Sequence, residues 1–227
     1  MAFDYQRQTK DHYQEPAIAG SYHAAFAGAR GWRTLHSRTV AARERAMVAE
    51  FLRRVPHGRV LDLPAGTGKL APVFAALGAS VVACDISVSM LAIAREEYAA
   101  AGCRDVVVRT CDAEQITATL RERFDAAVCL RLLHRVPSDV RARILAELSA
   151  AADHVIVSMG IESGYHRARR HLRSRLVGGS ADALCYEPLS AFERQLAVDF
   201  HVLAQRWILP ALSQEMAFLL RPKDREA

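Results

Sequence analysis

From Arg59 onward, the sequence alternates short and almost continuous apolar runs with longer segments whose apolar residues recur at helical spacing. Runs of this kind are typical of strands that helices cover on both faces, as in a parallel sheet. We therefore predict an α/β protein with a doubly wound, mostly parallel sheet. The five predicted strands are Val60–Leu63, Ser80–Cys84, Asp105–Val108, Ala126–Leu130 and His154–Ser158.

Residue types that begin or end helices mark the segments between these runs. Ser87 and Ser138 each precede an apolar stripe, and each is expected to cap the N-terminus of a helix. Gly78 follows the predicted helix Leu70–Leu77 and is expected to end it. These boundaries fit helices that connect successive strands of the sheet.

The pattern changes after the fifth run. A predicted helix, Leu189–Val198, is followed by two candidate strands, Phe200–Ile208 and Ser213–Leu220, whose short connection contains Pro210. This spacing predicts an antiparallel hairpin that closes one edge of the sheet. We expect a single domain with four parts. The first is an N-terminal helical cap segment at 1–58, which contains the helix Thr39–Arg54, and the second is a core at 59–158. A basic lid insertion at 159–188 and a C-terminal helix and strand pair at 189–227 follow.

The composition excludes several classes of protein. Hydrophobic residues make up 51% of the chain and charged residues 24%, which argues against intrinsic disorder. No apolar run approaches the roughly 18 residues of a membrane-spanning helix, and the polar stretch Met1–Gln14 lacks the apolar core of a signal peptide. We therefore expect a cytoplasmic protein. The five cysteines show no Cys-x-x-Cys spacing, so neither a metal site nor a disulfide framework is predicted.

Two glycines and three acids point to a ligand site. Gly66 and Gly68 follow the first predicted strand, directly before a helix, where the backbone can approach a ligand and the helix offers free N–H groups. Asp62, Asp85 and Asp112 lie near the ends of three consecutive predicted strands. Because the carboxyl ends of parallel strands meet at one edge of a sheet, we expect these acids to face one crevice, with Asp85 placed to accept ribose hydroxyls.

The glycine turn is similar in part to two phosphate-binding motifs. Gly68-Lys69 is similar to the end of a Walker A motif, but Leu63 and Leu70 stand where that motif requires Gly and Ser or Thr. The spacing Gly66-x-Gly68-x-x-Ala71 does satisfy the loose dinucleotide fingerprint. Spacing alone therefore leaves a nicotinamide-dependent enzyme open.

Four segments together resemble the class I S-adenosylmethionine-dependent methyltransferases. They are Leu61-Asp62-Leu63-Pro64-Ala65-Gly66-Thr67-Gly68, Ala83-Cys84-Asp85-Ile86-Ser87, Cys111-Asp112-Ala113 and Phe124-Asp125-Ala126-Ala127-Val128. The resemblance covers about residues 58 to 158 and implies the Rossmann-like, seven-stranded methyltransferase fold of that family. It also implies S-adenosylmethionine as the cofactor and S-adenosylhomocysteine as its product. Pro64 departs from the family pattern, since it stands in place of the first glycine of the turn and has no N–H to donate.

The resemblance also implies a role for each residue of the turn and the strand ends. Asp62 would orient the methionine moiety through its ammonium group, and Gly66 and Gly68 would contact that moiety and the ribose. Asp85 would hold the ribose hydroxyls, and Asp112 would meet the adenine amino group. The cofactor-binding residues that it implies are Asp62, Pro64, Ala65, Gly66, Gly68, Asp85, Ile86, Asp112, Ala113, Cys129 and Leu130.

The exit of the fourth strand is expected to approach the acceptor. His134 matches the position of a histidine in many small-molecule methyltransferases, which makes it a candidate general base; a structural or substrate-orienting role is the alternative. Arg135 stands where the family often has a second histidine. Arg131 is a candidate for binding an anionic group of the acceptor, and a solvated or helix-pairing role stays open. No Asn-Pro-Pro-Tyr or Asp-Pro-Pro-Tyr motif occurs here, which favours a small-molecule acceptor over protein or nucleic acid.

The segment 164–176 contains five arginines and two histidines without an acid. One interpretation is a lid whose residues Tyr165 and Arg169 bind an anionic acceptor; the other is a solvated amphipathic helix. Such a cluster would also attract RNA.

The expected function is methyl transfer from S-adenosylmethionine, to oxygen in a small-molecule or glycan-like, anionic acceptor. The alternatives are an RNA methyltransferase that uses the 164–176 segment, a nicotinamide-dependent oxidoreductase, and a binding protein that has kept the cofactor site without turnover. Nucleic acid is the less favoured partner, and no metal is expected.

Overall fold

The computed structural model describes residues 32–162, 164, 185–210 and 213–223. The strands in these ranges are β1 (Arg59–Asp62), β2 (Ser80–Asp85), β3 (Val106–Thr110), β4 (Phe124–Cys129), β5 (Ala152–Gly160), β6 (Phe200–Trp207) and β7 (Glu215–Pro222). The helices are α1 (Trp32–Leu52), α2 (Ala71–Leu77), α3 (Val88–Ala100), α4 (Ile116–Leu120), α5 (Ser138–Ala151) and α6 (Leu189–Asp199), with a 3₁₀ turn at Leu133–Arg135.

The seven strands form one sheet in the order β3-β2-β1-β4-β5-β7-β6. Strands β1 to β5 pair in parallel, and β7 pairs antiparallel with both β5 and β6. This arrangement confirms the predicted fold class, including the C-terminal antiparallel hairpin. The chain moves outward from β1 to β3 and then returns to the other side of β1 with β4, so the order reverses between β1 and β4. In open α/β sheets, ligands bind at the carboxyl end of the strands where the order reverses in this way.

Two apolar cores cover the two faces of the sheet, because neighbouring residues of each central strand point to opposite sides. Val60 packs in the core formed with α1, α2 and α3, whereas Leu61 packs in the core formed with α4, α5 and α6. Ile156 and Val155 of β5 divide in the same way. This two-sided burial explains why the central strands appear in the sequence as continuous apolar runs.

The predicted helix boundaries are partly confirmed. The Ser87 hydroxyl accepts a hydrogen bond from the Met90 amide at 3.4 Å, and Gly78 ends α2 with φ of +65°. The prediction for Ser138 is wrong, because Ser138 is itself the first residue of α5 and its side chain caps nothing. Pro137 precedes the helix instead, and its carbonyl accepts a hydrogen bond from the Arg141 amide at 2.9 Å.

The structure covers the predicted cap and lid only in part. The cap helix expected at Thr39–Arg54 is α1, which begins earlier, at Trp32; residues 1–31 lie outside the described residues. The first two residues of the predicted 159–188 lid belong to β5, and residues 163 and 165–184 lie outside the described residues. The division into four parts stays a prediction. None of the helices within the described ranges has the length and apolar character needed to cross a bilayer.

Gly68 fixes how the turn after β1 packs against α3. Its φ is +76°, and a Cβ at this position would lie 3.0 Å from Cβ of Glu97 and 3.1 Å from Cα of Ala94. Any side chain would therefore push the beginning of α2 away from α3, in addition to straining the backbone.

We predict that Gly68→Ala lowers the free energy of unfolding by about 2–4 kcal/mol, because it combines an unfavourable φ with a clash against backbone atoms. Gly78→Ala is the matched control, since Gly78 also has a positive φ but no atom within 4 Å of its added Cβ. That control should lose only about 1 kcal/mol. Urea unfolding of both variants measures the difference, and equal losses would show that the contact with α3 is unimportant.

Candidate functional site

A cavity opens at the carboxyl ends of the central strands, where the strand order reverses. The turn after β1, the segments after β2 and β3, and the exit of β4 line it, and Ala41, Glu44 and Arg45 of α1 lie along its wall. Most of the predicted site residues meet here. Those that line the cavity are Asp62, Pro64, Ala65, Gly66, Asp85, Ile86, Asp112, Ala113, Leu130 and Arg131.

Asp62 is the last residue of β1, and its carboxyl group is buried in the cavity wall. One carboxyl oxygen accepts a hydrogen bond from the Tyr98 hydroxyl of α3 at 2.5 Å. Burial raises the pKa of Asp62 to about 7; the Tyr98 hydrogen bond opposes this shift and the nearby Asp85 charge adds to it. Asp62 therefore holds its proton more tightly than an exposed Asp does, and a cationic group of a ligand would favour its charged form.

Asp85 joins the end of β2 to the glycine turn. Its Oδ2 accepts a hydrogen bond from the Gly66 amide at 2.9 Å, and its Oδ1 accepts one from the Ser87 amide at 2.9 Å. Burial raises the Asp85 pKa, and the hydrogen bonds from backbone amides oppose the shift. Because a carboxylate offers about four acceptor sites, Asp85 keeps capacity for hydroxyl groups of a ligand.

The two glycines of the turn have different surroundings. Gly66 borders the cavity with φ of +54°, and no atom lies within 4 Å of the position that its Cβ would take. Gly68 faces α3 and is not among the residues that line the cavity. Pro64 lines the cavity, and the Leu63–Pro64 peptide bond is cis. Gly66 is thus the glycine at which backbone and ligand can come close.

The segments after β2 and β3 together form a mostly apolar part of the cavity wall that contains the acid Asp112. Asp112 follows Cys111, and its Oδ1 accepts a hydrogen bond from the Glu114 amide at 3.0 Å. Ile86, Met90 and Ala113 also line the cavity. This part of the site combines apolar side chains with a carboxylate, a combination that suits a flat aromatic ring carrying a hydrogen-bond donor.

The exit of β4 connects the cavity to α1. Arg131 has a positive φ of 59°, its amide donates to the Ser158 hydroxyl at 2.8 Å, and its Nε donates to Oε1 of Glu44 at 2.6 Å. Leu130 lines the cavity, whereas Cys129 is fully buried, does not line it, and has a pKa raised by burial. The Arg131–Glu44 ion pair therefore holds α1 against the cavity.

Several functional candidates were missed by the sequence analysis. The apolar stripe of α3 contains Tyr98, but only its contact with Asp62 reveals a polar role for its hydroxyl. Lys69 lines the cavity together with Arg45 and Arg135, although the sequence drew attention to Lys69 only through the rejected Walker A motif. Burial lowers the pKa of Lys69 to about 7, with a further contribution from the Arg131 charge.

His134 lies in the 3₁₀ turn after β4 and is not among the residues that line the cavity. Its side chain is buried, and its ring centroid is 5.9 Å from that of Tyr186. Burial lowers the pKa of His134 to about 3, with further contributions from Arg135, Arg131 and Arg141. Both roles that the sequence predicts for it, general base and structural or substrate-orienting histidine, stay predictions.

Two predicted acceptor-binding residues, Tyr165 and Arg169, lie outside the described residues. Among the residues that the structure describes, no group of three or more His, Cys, Asp or Glu side chains is arranged to hold a metal ion.

The core of the chain is similar to known methyltransferases. Residues 60–154 match the model of a family described as a methyltransferase domain. The ubiquinone biosynthesis O-methyltransferase of Alkalilimnicola ehrlichii is 35% identical over 112 residues, which are 49% of this chain and 45% of that protein. The demethylmenaquinone methyltransferase of Parafrankia sp. is 44% identical over 70 residues, which are 31% of this chain and 23% of that protein. The chain thus spans less than half the length of these curated relatives.

A solved structure is similar over nearly the whole chain. The crystal structure of magnesium protoporphyrin IX methyltransferase from Synechocystis, with bound S-adenosylhomocysteine, matches with a TM-score of 0.81 and covers 96% of this chain and 100% of that one. The two sequences are 16% identical, so this likeness shows the fold.

We predict that Asp62→Asn changes how stability depends on pH. The Asp62 pKa is about 7 in the folded protein against an ordinary value of 3.8, so the folded state binds this proton more strongly than the unfolded state does. The wild-type protein should therefore lose stability as the pH rises from about 4 to about 7, whereas Asn has no proton to lose.

Urea unfolding at about pH 5 and about pH 8 measures this effect. The Asn variant should be more stable than the wild type by about 1–3 kcal/mol at the higher pH, and this difference should shrink at the lower pH. Asp153→Asn is the control, because Asp153 is an exposed acid outside the cavity. If the stability of the wild type and that of Asp62→Asn depend on pH in the same way, the raised pKa of the buried Asp62 carboxyl is contradicted.

Proposed function

We propose that this protein is a class I, S-adenosylmethionine-dependent methyltransferase that methylates an oxygen atom of a small-molecule or glycan-like acceptor in the cytoplasm. The match of residues 60–154 to a methyltransferase domain supports this proposal. The acceptor is proposed to carry an anionic group. The observation that carries the proposal is the presence of Asp62, Asp85 and Asp112, from the ends of three consecutive strands, in the wall of one cavity.

The residues of the cavity fit the cofactor of this family. Asp62 is proposed to pair with the ammonium group of the methionine moiety, which would hold the buried carboxyl in its charged form. Asp85 is proposed to accept the ribose hydroxyls, and Asp112 the adenine amino group, with Ile86 and Ala113 beside the ring. S-adenosylmethionine, when bound, supplies a methyl group on a cationic sulfur.

The chain's own contribution to the reaction is mainly positioning. Methyl transfer is an in-line displacement, so its rate depends on how well the acceptor oxygen is held near the methyl group. Leu130 and Arg131 at the β4 exit and Ala41 and Glu44 of α1 line the cavity from two sides. These residues can restrict the motion of an acceptor and displace water from around it.

A small-molecule acceptor is supported by two observations. One of the relatives with similar sequences is named a ubiquinone biosynthesis O-methyltransferase, and another is named a demethylmenaquinone methyltransferase. The β4 exit reads Leu130-Arg131-Leu132-Leu133 and lacks the Asn-Pro-Pro-Tyr type of motif. The first relative also supports oxygen as the methylated atom.

The other candidate functions receive less support. The dinucleotide fingerprint depended on Gly66 and Gly68, but Gly68 packs against α3, and the family match favours a methyltransferase. An RNA methyltransferase would depend on the basic segment 164–176, which apart from Gly164 lies outside the described residues.

Incubation with methyl-labelled S-adenosylmethionine tests the proposal directly. The protein is mixed with two fractions of a cell extract, one of small molecules and one of RNA. Label should appear in a product of the small-molecule fraction. Label only in RNA, or in neither fraction, would contradict the proposed function.

We predict that Asp85→Asn weakens binding of S-adenosylhomocysteine by about 10- to 100-fold, because a charged acceptor for the ribose hydroxyls is lost. Isothermal titration calorimetry measures the affinity. Asp125→Asn is a matched control. The Asp125 carboxylate also accepts a hydrogen bond from a backbone amide, that of Arg59 at 2.8 Å. Asp125 lies near the amino end of β4, at the end of the sheet away from the cavity. Equal affinity of Asp85→Asn and the wild type would refute the ribose role.

His134→Asn separates a general base from a structural histidine. Because His134 is buried beside Tyr186 and does not line the cavity, we predict that the variant loses about 1–3 kcal/mol of unfolding free energy. Methyl incorporation per folded molecule should change by less than about threefold. A fall in incorporation of about 100-fold or more, without loss of cofactor affinity, would instead identify His134 as the base.

A further inference from the structure

Tyr98 places a hydroxyl group on the apolar inner face of α3. Met90, Leu91 and Ala94 are buried on the same face of this helix. The Tyr98 side chain is completely buried, and its hydroxyl donates to Oδ2 of Asp62 at 2.5 Å. Burying a hydroxyl is costly unless it finds a partner, and a phenylalanine would pack at this position without that requirement. The hydroxyl therefore indicates a role beyond packing.

The ring of Tyr98 is held between two helices. Tyr98 belongs to α3, and its ring centroid lies 6.3 Å from that of Phe74 in α2, with the two ring planes 7° from parallel. Phe74 is itself fully buried. Because packing fixes the ring, the hydroxyl is directed at the end of β1 with little freedom to turn away. The Asp62 carboxyl thus has a hydrogen-bond donor on a rigid support.

This hydrogen bond acts on the orientation and on the charge of the Asp62 carboxyl. Burial raises the Asp62 pKa to about 7, the Tyr98 hydrogen bond opposes that shift, and the Asp85 charge adds to it. A carboxylate can accept about four hydrogen bonds, so the one from Tyr98 leaves acceptor capacity for a ligand. Without the hydroxyl, burial and the Asp85 charge would keep Asp62 protonated up to a higher pH.

The other titratable groups around this pair favour the same assignment. Burial, with a further contribution from the Asp62 charge, raises the Tyr98 pKa well above its ordinary value, so the hydroxyl keeps its proton and can donate. Burial also raises the pKa of Cys129, and the Asp62 charge adds to that shift. The pKa values of Cys84 and Cys103, whose charges would act on Tyr98, are raised as well. These thiols therefore stay neutral near physiological pH and add no charge beside the carboxyl.

We infer that Tyr98 is a positioning residue for the cofactor, because its hydroxyl holds the Asp62 carboxylate oriented and charged for the ammonium group of the methionine moiety. The inference rests on the proposed function, in which Asp62 pairs with that ammonium. Tyr98 does not line the cavity and acts through Asp62. A protonated Asp62 would offer the ammonium only a neutral oxygen, and the stronger, charge-assisted hydrogen bond would be lost.

Binding of two ligands to Tyr98→Phe tests this inference. S-adenosylhomocysteine carries the ammonium group, whereas methylthioadenosine shares its thioether and adenosine but lacks the amino-acid part. Titration calorimetry measures both affinities at about pH 6.5 and about pH 8.5, on either side of the Asp62 pKa. Tyr186→Phe is the matched control, since Tyr186 is a partly buried tyrosine that does not line the cavity. Circular dichroism checks that each variant is folded.

We expect Tyr98→Phe to bind S-adenosylhomocysteine at least about tenfold more weakly than the wild type at the lower pH, because Asp62 then holds its proton more tightly. At the higher pH the loss should shrink to about threefold or less, since the carboxyl is ionised before the ligand binds. The affinity for methylthioadenosine should change by less than about twofold at either pH, because this ligand has no ammonium to bind. Tyr186→Phe should bind both ligands as the wild type does.

Three results would overturn the inference. Unchanged affinity of Tyr98→Phe for S-adenosylhomocysteine would show that the hydroxyl contributes nothing to binding. Equal losses for the two ligands would show that Tyr98 only supports the shape of the cavity. A loss that is the same at both pH values would show that the hydroxyl does not act on the charge of Asp62.

A second variant covers the case in which Tyr98→Phe does not fold. A ring-fluorinated tyrosine at position 98 keeps the hydroxyl and makes it more acidic, hence a stronger donor to the carboxylate. The affinity for S-adenosylhomocysteine at the lower pH should then rise above that of the wild type, and an equal or lower affinity would contradict the inference. Failure of the wild type to bind S-adenosylhomocysteine at either pH would instead contradict the proposed function.

Discussion

The geometry of the cavity depends on the hydrogen bonds that Asp85 accepts. By binding the amides of Gly66 and Ser87, this one carboxylate fixes the turn after β1 against the end of β2. These amide donors offset part of the cost of burying the carboxylate, and burial still raises the Asp85 pKa. Because Asp62 and the turn belong to β1 and its continuation, their placement relative to β2 follows from the same contact. A neutral side chain there would leave the two strand ends less firmly connected.

Burial shifts the pKa values of both acidic and basic side chains in the cavity. It raises the pKa of Asp62 and lowers that of Lys69, in each case to about 7, so both side chains are partly neutral near physiological pH. A ligand with an ammonium and a carboxylate would release a proton from the first and favour protonation of the second. Proton exchange is thus coupled to binding at both groups, with opposite signs. The shifts toward the neutral forms reduce the cost of removing these side chains from water.

Periodicity in the sequence was sufficient to predict the central strands and their direction, because both faces of these strands are buried and their apolar runs are continuous. The same pattern predicted that Asp62, Asp85 and Asp112 lie at the carboxyl end of the sheet, since each lies near the end of a strand. It did not distinguish Gly66 from Gly68, because the close approach of Gly68 to α3 is a tertiary contact. Tyr98 and Asp62 are 36 residues apart, and α1 reaches the cavity across the fold, so neither contribution has a local signal. His134 follows a strand end in the sequence, yet its 3₁₀ turn directs it into the protein interior.

The position of β7 between β5 and β6 bears on how the chain is synthesised. As the nascent chain leaves the ribosome, β1 to β5 can pair with one another, but the free edge of β5 has no neighbour until residues 215–222 emerge. Unpaired strand edges are prone to association with other chains. Emergence of β7 is therefore the step that protects this edge, and release of a polypeptide that ends before residue 215 would leave it exposed.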